Sequence, residues 1–510
     1  MLWIRPLLLT LQLMGLSVLV AAAIGIPLAF LISLVPQRRR WGRAVTAYCL
    51  VSLVACLATP MILHAAAWEA TAGKFGWLTF SQTAARTYTG LAGRYSGLVA
   101  CVWIHGLSGA AVVSLATWFG TTRIAPEVID QSRLDGGRTW TWWRIRLPIA
   151  APWVITGLLA TAILAATEMT VVDLYGVRTL ADEFYLFHAA SPSITSILVL
   201  LVLPCVLSIA IFTSFLVSRR RGLDARSLQH KPSQVGGDGR RGPISSLAPA
   251  AAIAIVTLMY AFPLAGLVVK VGHQITVSSD PESTLAVGWS LRHAIGLLAA
   301  APREFAREYT GTAILAAMTA AVCVPLAWSL ASVTRTRPRL GRSVELLSLI
   351  LFLIPGPIIG LAVVRLFTLP VPVLPSLYHQ TLVPTVVALM ARALPVSYWI
   401  LRAGYAGIDR AVLDSARIDF SWLGRLWRVE RPLLAKPLMI AAFAAAVVAS
   451  GDVPATLPVI PPGVVTVGTR LFALLHSGAR HQEAALAFWY VVAMIVLAIA
   501  CRFRWKRAER

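Results

Sequence analysis

The stretch IDQSRLDGGRTWTWWRIRLP, residues 129–148, sets two aspartates, four arginines and three tryptophans between long apolar runs. Carboxylates and guanidiniums alternating along one or two turns can grip a charged partner, but they are not a set for making or breaking bonds. A second polar island, LDSARIDFSWLGRLWRVERP, fills 413–432 in the same register. At an offset of 284, Asp130 meets Asp414, Arg133 meets Arg417, Asp135 meets Asp419, Trp143 meets Trp427 and Pro148 meets Pro432. A loop whose arginines only fix topology needs no such spacing, so its recurrence points to a pair of docking elements. Small residues in each (Ser132, Gly136, Gly137; Ser415, Ala416) let the backbone approach another surface closely. The Trp-Arg tail ending at Pro148 or Pro432 returns the chain to a membrane interface, where Trp anchors.

Two further carboxylates stand 284 apart inside apolar runs: Glu168 in AATEMTVVD and Asp452 in VASGDVPAT. A charge deep in a span costs about 2.5–3.5 kcal/mol on insertion scales, so each demands an explanation. Either they pair with a neighbouring helix near the interface, or they flank a pseudo-twofold axis and line a translocation path. In the second case they would attract a hard cation such as Fe(III), which prefers oxygen ligands. Arg392, mid-run in ALMARALPVSYW, has Ser108 at its place in the first half and is expected to pair with a carboxylate. His105 reads as an internally hydrogen-bonded histidine. No Ser/His/Asp grouping or catalytic carboxylate pair occurs at a soluble site, so neither an active site nor a metal centre is expected. GDGRRGPIS at 237–245 has P-loop glycine spacing, but Pro243 stands where Lys is required.

The elements that position these residues are written in the composition. Of 510 residues, 58% are apolar and 13% charged, against about 25% charged in soluble domains. Several apolar runs reach the roughly 18 residues that cross a bilayer. An all-α polytopic membrane protein follows. The net charge of +23 gathers in 36–43, 119–149, 218–243, 335–342, 402–436 and 502–510. These segments alternate with pairs of apolar runs, the positive-inside pattern of cytoplasmic loops. That basicity is topological, and no nucleic-acid partner is expected. The six cysteines show no CxxC pair and read as buried, unpaired thiols. LLLTLQLMGLSVLVAAA resembles a signal-peptide core, but the apolar run continues to Val35, so a first membrane helix is the better reading.

Spans are expected near 7–35, 44–64, 95–118, 151–174, 194–217, 247–271, 311–333, 344–366, 382–401, 438–460 and 484–501. That makes eleven, or twelve if a long run folds back. Pro60, Pro355 and Pro357 should break or kink their helices. A basic, Gly-containing cytoplasmic linker, 218–246, separates a first membrane domain at 1–217 from a second at 247–510, the second opened by one extra helix. The longest outward segment, about 272–309, carries no clear motif.

The islands resemble the EAA loop of ATP-binding-cassette importer permeases, E-A-A-x-x-x-G followed by I-x-L-P. In 125–148, Asp130-Gln131-Ser132 replace Glu-Ala-Ala, and Gly136, Leu147 and Pro148 are kept. In 409–432, Asp414-Ser415 precede the kept Ala416, Pro432 is kept, Phe420 takes the glycine position and Arg431 the leucine position. The wider chain is similar to double-length permeases with two fused MetI-like domains, of the ferric-iron and thiamine type. RALP at 392–395 and GDVPATLPVIPPGVVTVGTRLFALLHSG at 451–478 look most like the ferric-iron branch.

The resemblance implies a bacterial inner-membrane permease subunit that takes up ferric iron, with thiamine, another metal or a small anion as alternatives. Two copies of a separate ATPase subunit would bind the ATP, leaving no cofactor in this chain. A periplasmic or lipid-anchored binding protein would deliver substrate. The ATPase-coupling residues would be Asp130, Gln131, Ser132, Arg133, Asp135, Gly136, Leu147 and Pro148, with Asp414, Ser415, Ala416, Arg417, Asp419 and Pro432. Glu168, Asp452 and Arg392 would line the path. The rival from another class is an ion-gradient-driven secondary transporter, which can also be built from repeated halves.

Overall fold

The computed structural model describes residues 3–37, 39–72, 91–188, 193–220, 243–277, 285–477 and 480–507. The first half runs α1 (Ile4–Leu34), α2 (Arg40–Ala58), α3 (Met61–Ala72), α4 (Leu91–Thr122), α5 (Pro126–Thr141), α6 (Leu147–Thr167), α7 (Thr170–Leu174), α8 (Leu180–Glu183) and α9 (Ile194–Arg220). An additional pair, α10 (Pro243–Val256) and α11 (Phe262–Val271), leads to a hairpin of β1 (His273–Val277) and β2 (Leu285–Trp289) and to α12 (Leu291–Glu304). The second half follows as α13 (Ala306–Thr336), α14 (Pro338–Leu353), α15 (Gly356–Phe367), α16 (Val373–Gln380), α17 (Val383–Ala406), α18 (Arg410–Asp419) and α19 (Trp422–Arg425). It closes with α20 (Arg431–Leu433), α21 (Ala435–Gly451), α22 (Val453–Thr456), α23 (Val467–Ser477) and α24 (Arg480–Arg507).

Among the described residues, eight helices are long and apolar enough to cross a membrane, or ten if each of two bent pairs counts as one span. The protein is therefore a multi-pass helical membrane protein. The expected eleventh span, 484–501, falls on α24. The prolines act where expected. Helix α2 stops at Ala58 and α3 restarts after Pro60, while α14 and α15 meet at 101° across Ile354-Pro355. The stretch 272–309, without motif in the sequence, holds the antiparallel hairpin and α12. Most of the linker, 221–242, lies outside the described residues.

Proline also explains a less expected feature. Three five-residue π-helical turns, Trp142–Arg146, Leu426–Glu430 and Thr257–Ala261, each end two residues before a proline, Pro148, Pro432 or Pro263; a fourth, Phe184–His188, does not. Proline has no N–H for the carbonyl four residues back and its ring crowds that carbonyl, so the preceding turn widens. The first two turns are 284 apart, near the end of each island. Another pair of matching bonds ties each half together. Leu180 N–H donates to Thr10 Oγ1 at 2.9 Å, and Val467 N–H to Thr312 Oγ1 at 2.8 Å.

In the first half, α1, α4 and α6 pack through small residues, as membrane helices do. A Cβ on Gly109 would meet Thr161 Cγ2 at 2.2 Å, so only glycine allows that approach. The extra pair α10–α11 packs mainly on α1, α2 and α3, across the boundary from the half it opens. At the end away from the islands the halves interlock. Met169, Leu180, Phe184 and Leu200 pack with Ile358, Leu361, Leu457 and Phe472, and Gly451 closes on Pro60. At the island end the cores stay separate: Phe30, Leu34 and Trp142 on one side, Tyr398, Leu401, Leu413 and Leu426 on the other.

Candidate functional site

Each island is an amphipathic helix anchored by a short apolar edge. On α5, Ile129 and Ser132 are buried; on α18, Leu413 and Ala416 occupy the same places and are buried too. Asp130 pairs with Arg133 at 3.4 Å and Asp414 with Arg417 at 3.2 Å, identical i,i+3 bridges. Exposed pairs of this kind contribute at most about 0.5 kcal/mol each, so they orient side chains more than they stabilise. Asp135, Gln131, Gly136, Pro148, Asp419, Ser415 and Pro432 are exposed, and Leu147 is half-buried. Sequence reading passed over the most exposed apolar residues in both islands. Leu134 and Ile418, again 284 apart, are each 87% exposed at the tips of the two helices.

The islands turn by different means. Gly137 breaks α5 with φ 73°, a conformation that glycine adopts without strain. In the second island Phe420, at the glycine position of the motif, is extended, and Ser421 starts α19 by accepting a hydrogen bond from Gly424 N–H. The second island therefore keeps the break but sets it one position earlier, at Phe420, with Ser421 at the counterpart of Gly137.

Behind the second island lies a buried network that charge counting alone did not reveal. Glu430 receives Arg425 Nε at 2.7 Å, the Tyr405 hydroxyl, and the Ser332 hydroxyl at 3.4 Å. In the first island Arg146 stands at the place of Glu430 and donates to the Thr121 carbonyl at 3.1 Å.

Glu168 and Asp452 sit where spanning helices end. Glu168 accepts from the backbone N–H groups of Thr170 (2.7 Å) and Val171 (2.9 Å) and from the Thr170 hydroxyl, capping α7. Asp452 caps α22 through Ala455 N–H at 3.4 Å. Each also meets a cationic or ionisable side chain from the equivalent helix: Glu168 Oε2 lies 3.5 Å from His105 Nε2 on α4, and Asp452 Oδ2 lies 3.5 Å from Arg392 Nε on α17. His105 Nδ1–H donates to the Cys101 carbonyl at 2.8 Å, as expected for a core histidine. Arg392 also reaches the Ile354 carbonyl at the α14–α15 bend, 3.5 Å away. These residues hold three chain breaks in place. Among the described residues no group of three or more His, Cys, Asp or Glu could hold a metal ion.

The seam between halves carries charge at its far end. His476 on α23 pairs with Asp173 on α7 at 3.2 Å. Asp173 lifts the imidazole above its ordinary range. Asp182, bonded by Arg178 at 3.3 Å, is pushed up to about 7 by burial and by the neighbouring Asp173. Lys270 and Glu483 form a buried pair that ties α11 to α24. The cysteines Cys49, Cys56, Cys101 and Cys323 are buried and free as read; Cys205 is also free but exposed on the outer face of α9, where the neighbouring apolar side chains are exposed too. The Cys501 side chain lies outside the described residues. No family model and no curated protein matches the chain.

Proposed function

We propose that this chain is the membrane permease of an ATP-binding-cassette importer, with 1–217 and 247–510 as its two membrane domains and the islands as sockets for two ATPase subunits. The observation that carries the reading is the matched pair of exposed tips, Leu134 and Ile418, on helices stabilised by the same Asp–Arg bridge. An isolated exposed leucine needs no explanation. Two at one repeat position, each ringed by charge, make a twofold surface for a twofold partner.

Contacts between the halves at the far end, with separate cores at the island end, fit a resting state closed away from the ATPase. Nucleotide-driven approach of the two ATPases would draw the islands together and part the far-end seam. Ferric iron is the substrate favoured by sequence resemblance. Glu168 and Asp452 serve helix ends in this account, so substrate choice falls to the delivering protein and to the seam.

The test is a paired charge insertion. Asp135→Lys with Asp419→Lys, and separately Leu134→Glu with Ile418→Glu, should abolish uptake and weaken ATPase co-purification. Normal uptake in both would remove the docking role. A second reading, an ion-driven transporter, draws on the His105–Glu168 contact, two titratable side chains 3.5 Å apart where spanning helices end. Transport in proteoliposomes without any ATPase would favour it.

A further inference from the structure

Beneath the end of α1 the first island encloses a small cavity lined by Arg133, Arg138, Thr141, Trp142 and Arg146. Its lining is rich in donors that donate to nothing. Arg133 Nε, Arg146 Nε, Trp142 Nε1 and Thr141 Oγ1 are buried without a hydrogen-bond partner among the described residues. Trp142 and Thr141 are 1% exposed and Arg146 is 8% exposed. Guanidinium and indole groups only donate, so nothing within the arginine set can satisfy them. Among the described residues the one carboxylate paired with these arginines, Asp130, is itself exposed and meets Arg133 from the solvent side.

The second island has the same frame with the charge reversed. Glu430 occupies the Arg146 position, and Arg425, at the place of Thr141, is bonded to it. That half carries its anion within the chain, and the first half has an arginine where the anion should be. Buried charge persists when it is paired and hydrogen-bonded, so the first island calls for an anion from outside.

We infer that the first island binds a phosphate group, held by Arg133, Arg138 and Arg146 with Thr141 and Trp142 completing the donors. Phosphate suits a cavity lined by several converging donors and no carboxylate, because its oxygens take planar guanidinium forks from more than one side. The cavity admits little more than a water-sized guest, so phosphate oxygens enter and the remainder stays at the mouth. Trp140 and Trp143 flank the site half-exposed, as aromatic side chains do at the level of lipid headgroups. An anionic phospholipid or free phosphate presents the same chemistry there. The inference needs only this chain and does not rest on the ATPase reading.

The full chain, purified in uncharged detergent, is unfolded thermally while inorganic phosphate is titrated against chloride at equal ionic strength. In a second arm, phosphatidylglycerol is compared with phosphatidylcholine in the same micelles. At least one of phosphate and phosphatidylglycerol should raise Tm saturably beyond its control. Arg146→Glu, which copies the second island, should move the midpoint at least about tenfold, the loss of one charge-assisted hydrogen bond. A response to phosphate alone identifies a soluble ligand, and a response to phosphatidylglycerol alone identifies a lipid; either supports the site. Should Arg146→Glu not fold, Arg133→Gln read in the same titrations replaces it. Flat responses in both arms, as expected if a partner's carboxylate fills the cavity, overturn the inference. So does an unchanged midpoint in the variant read.

Discussion

The two islands share a backbone and differ in electrostatics. Both have a buried apolar edge, an Asp–Arg bridge, an exposed apolar tip and a π-helical turn before proline. One closes over Glu430 with its hydroxyl and guanidinium partners; the other closes over three arginines. The span ends repeat the contrast, with His105 opposite Glu168 and Arg392 opposite Asp452. Residues that fix the path of the chain were kept between the halves, and residues that set local charge were free to change. Symmetry of shape therefore does not require symmetry of binding.

The largest effect should come from removing the built-in anion. Glu430→Ala leaves Arg425 buried without its carboxylate and should destabilise by about 3–5 kcal/mol. Arg146→Ala in the first island should cost far less, since it relieves crowding among like charges. Thermal unfolding of both variants in the same detergent measures the difference, and equal losses would erase the contrast between the islands.

Next come the span-end carboxylates. Glu168→Ala removes a helix cap and should cost about 1 kcal/mol or somewhat more. Glu168→Gln keeps an accepting oxygen and should recover much of that in the same unfolding assay. If Gln and Ala are equally damaging while folding is intact, the charge matters more than the cap.

A smaller effect should depend on pH at the far-end seam. His476, lifted by Asp173, contributes stability that is complete below its unfolded pKa and lost as pH rises through its raised folded value. Asp182, pushed to about 7, has the same sign: it holds a proton in the folded chain that the unfolded chain releases near pH 4. Stability should fall from about pH 4 upward as Asp182 and then His476 lose their protons, and His476→Gln should flatten the upper part of that slope. Smallest of all, Arg417→Gln should alter stability through its surface bridge by no more than about 0.5 kcal/mol.

Much of this architecture was legible in the sequence. Apolar runs became helices, Pro60 and Pro355 became breaks, and the expected carboxylate partner of Arg392 is Asp452. Three of the π-helical turns were missed although their signal is plain, a proline two residues beyond each; the fourth, Phe184–His188, carries no such mark. The capping role of Glu168 was hidden because it depends on where α6 stops, which hydropathy places only within several residues. The inversion of Arg146 and Glu430 was present at the common offset, but a comparison that looks for identities passes over opposite charges. The exposure of Leu134 and Ile418 depends on how each island helix is seated, which composition alone does not fix.

The central claim is that the islands are a matched pair moved by a separate motor. Nitroxide labels at positions 134 and 418, read in the reconstituted complex, test it most directly. The separation should shorten when the ATPase closes on a non-hydrolysable ATP analogue and relax when nucleotide is removed. A separation that stays the same with and without nucleotide would contradict the account.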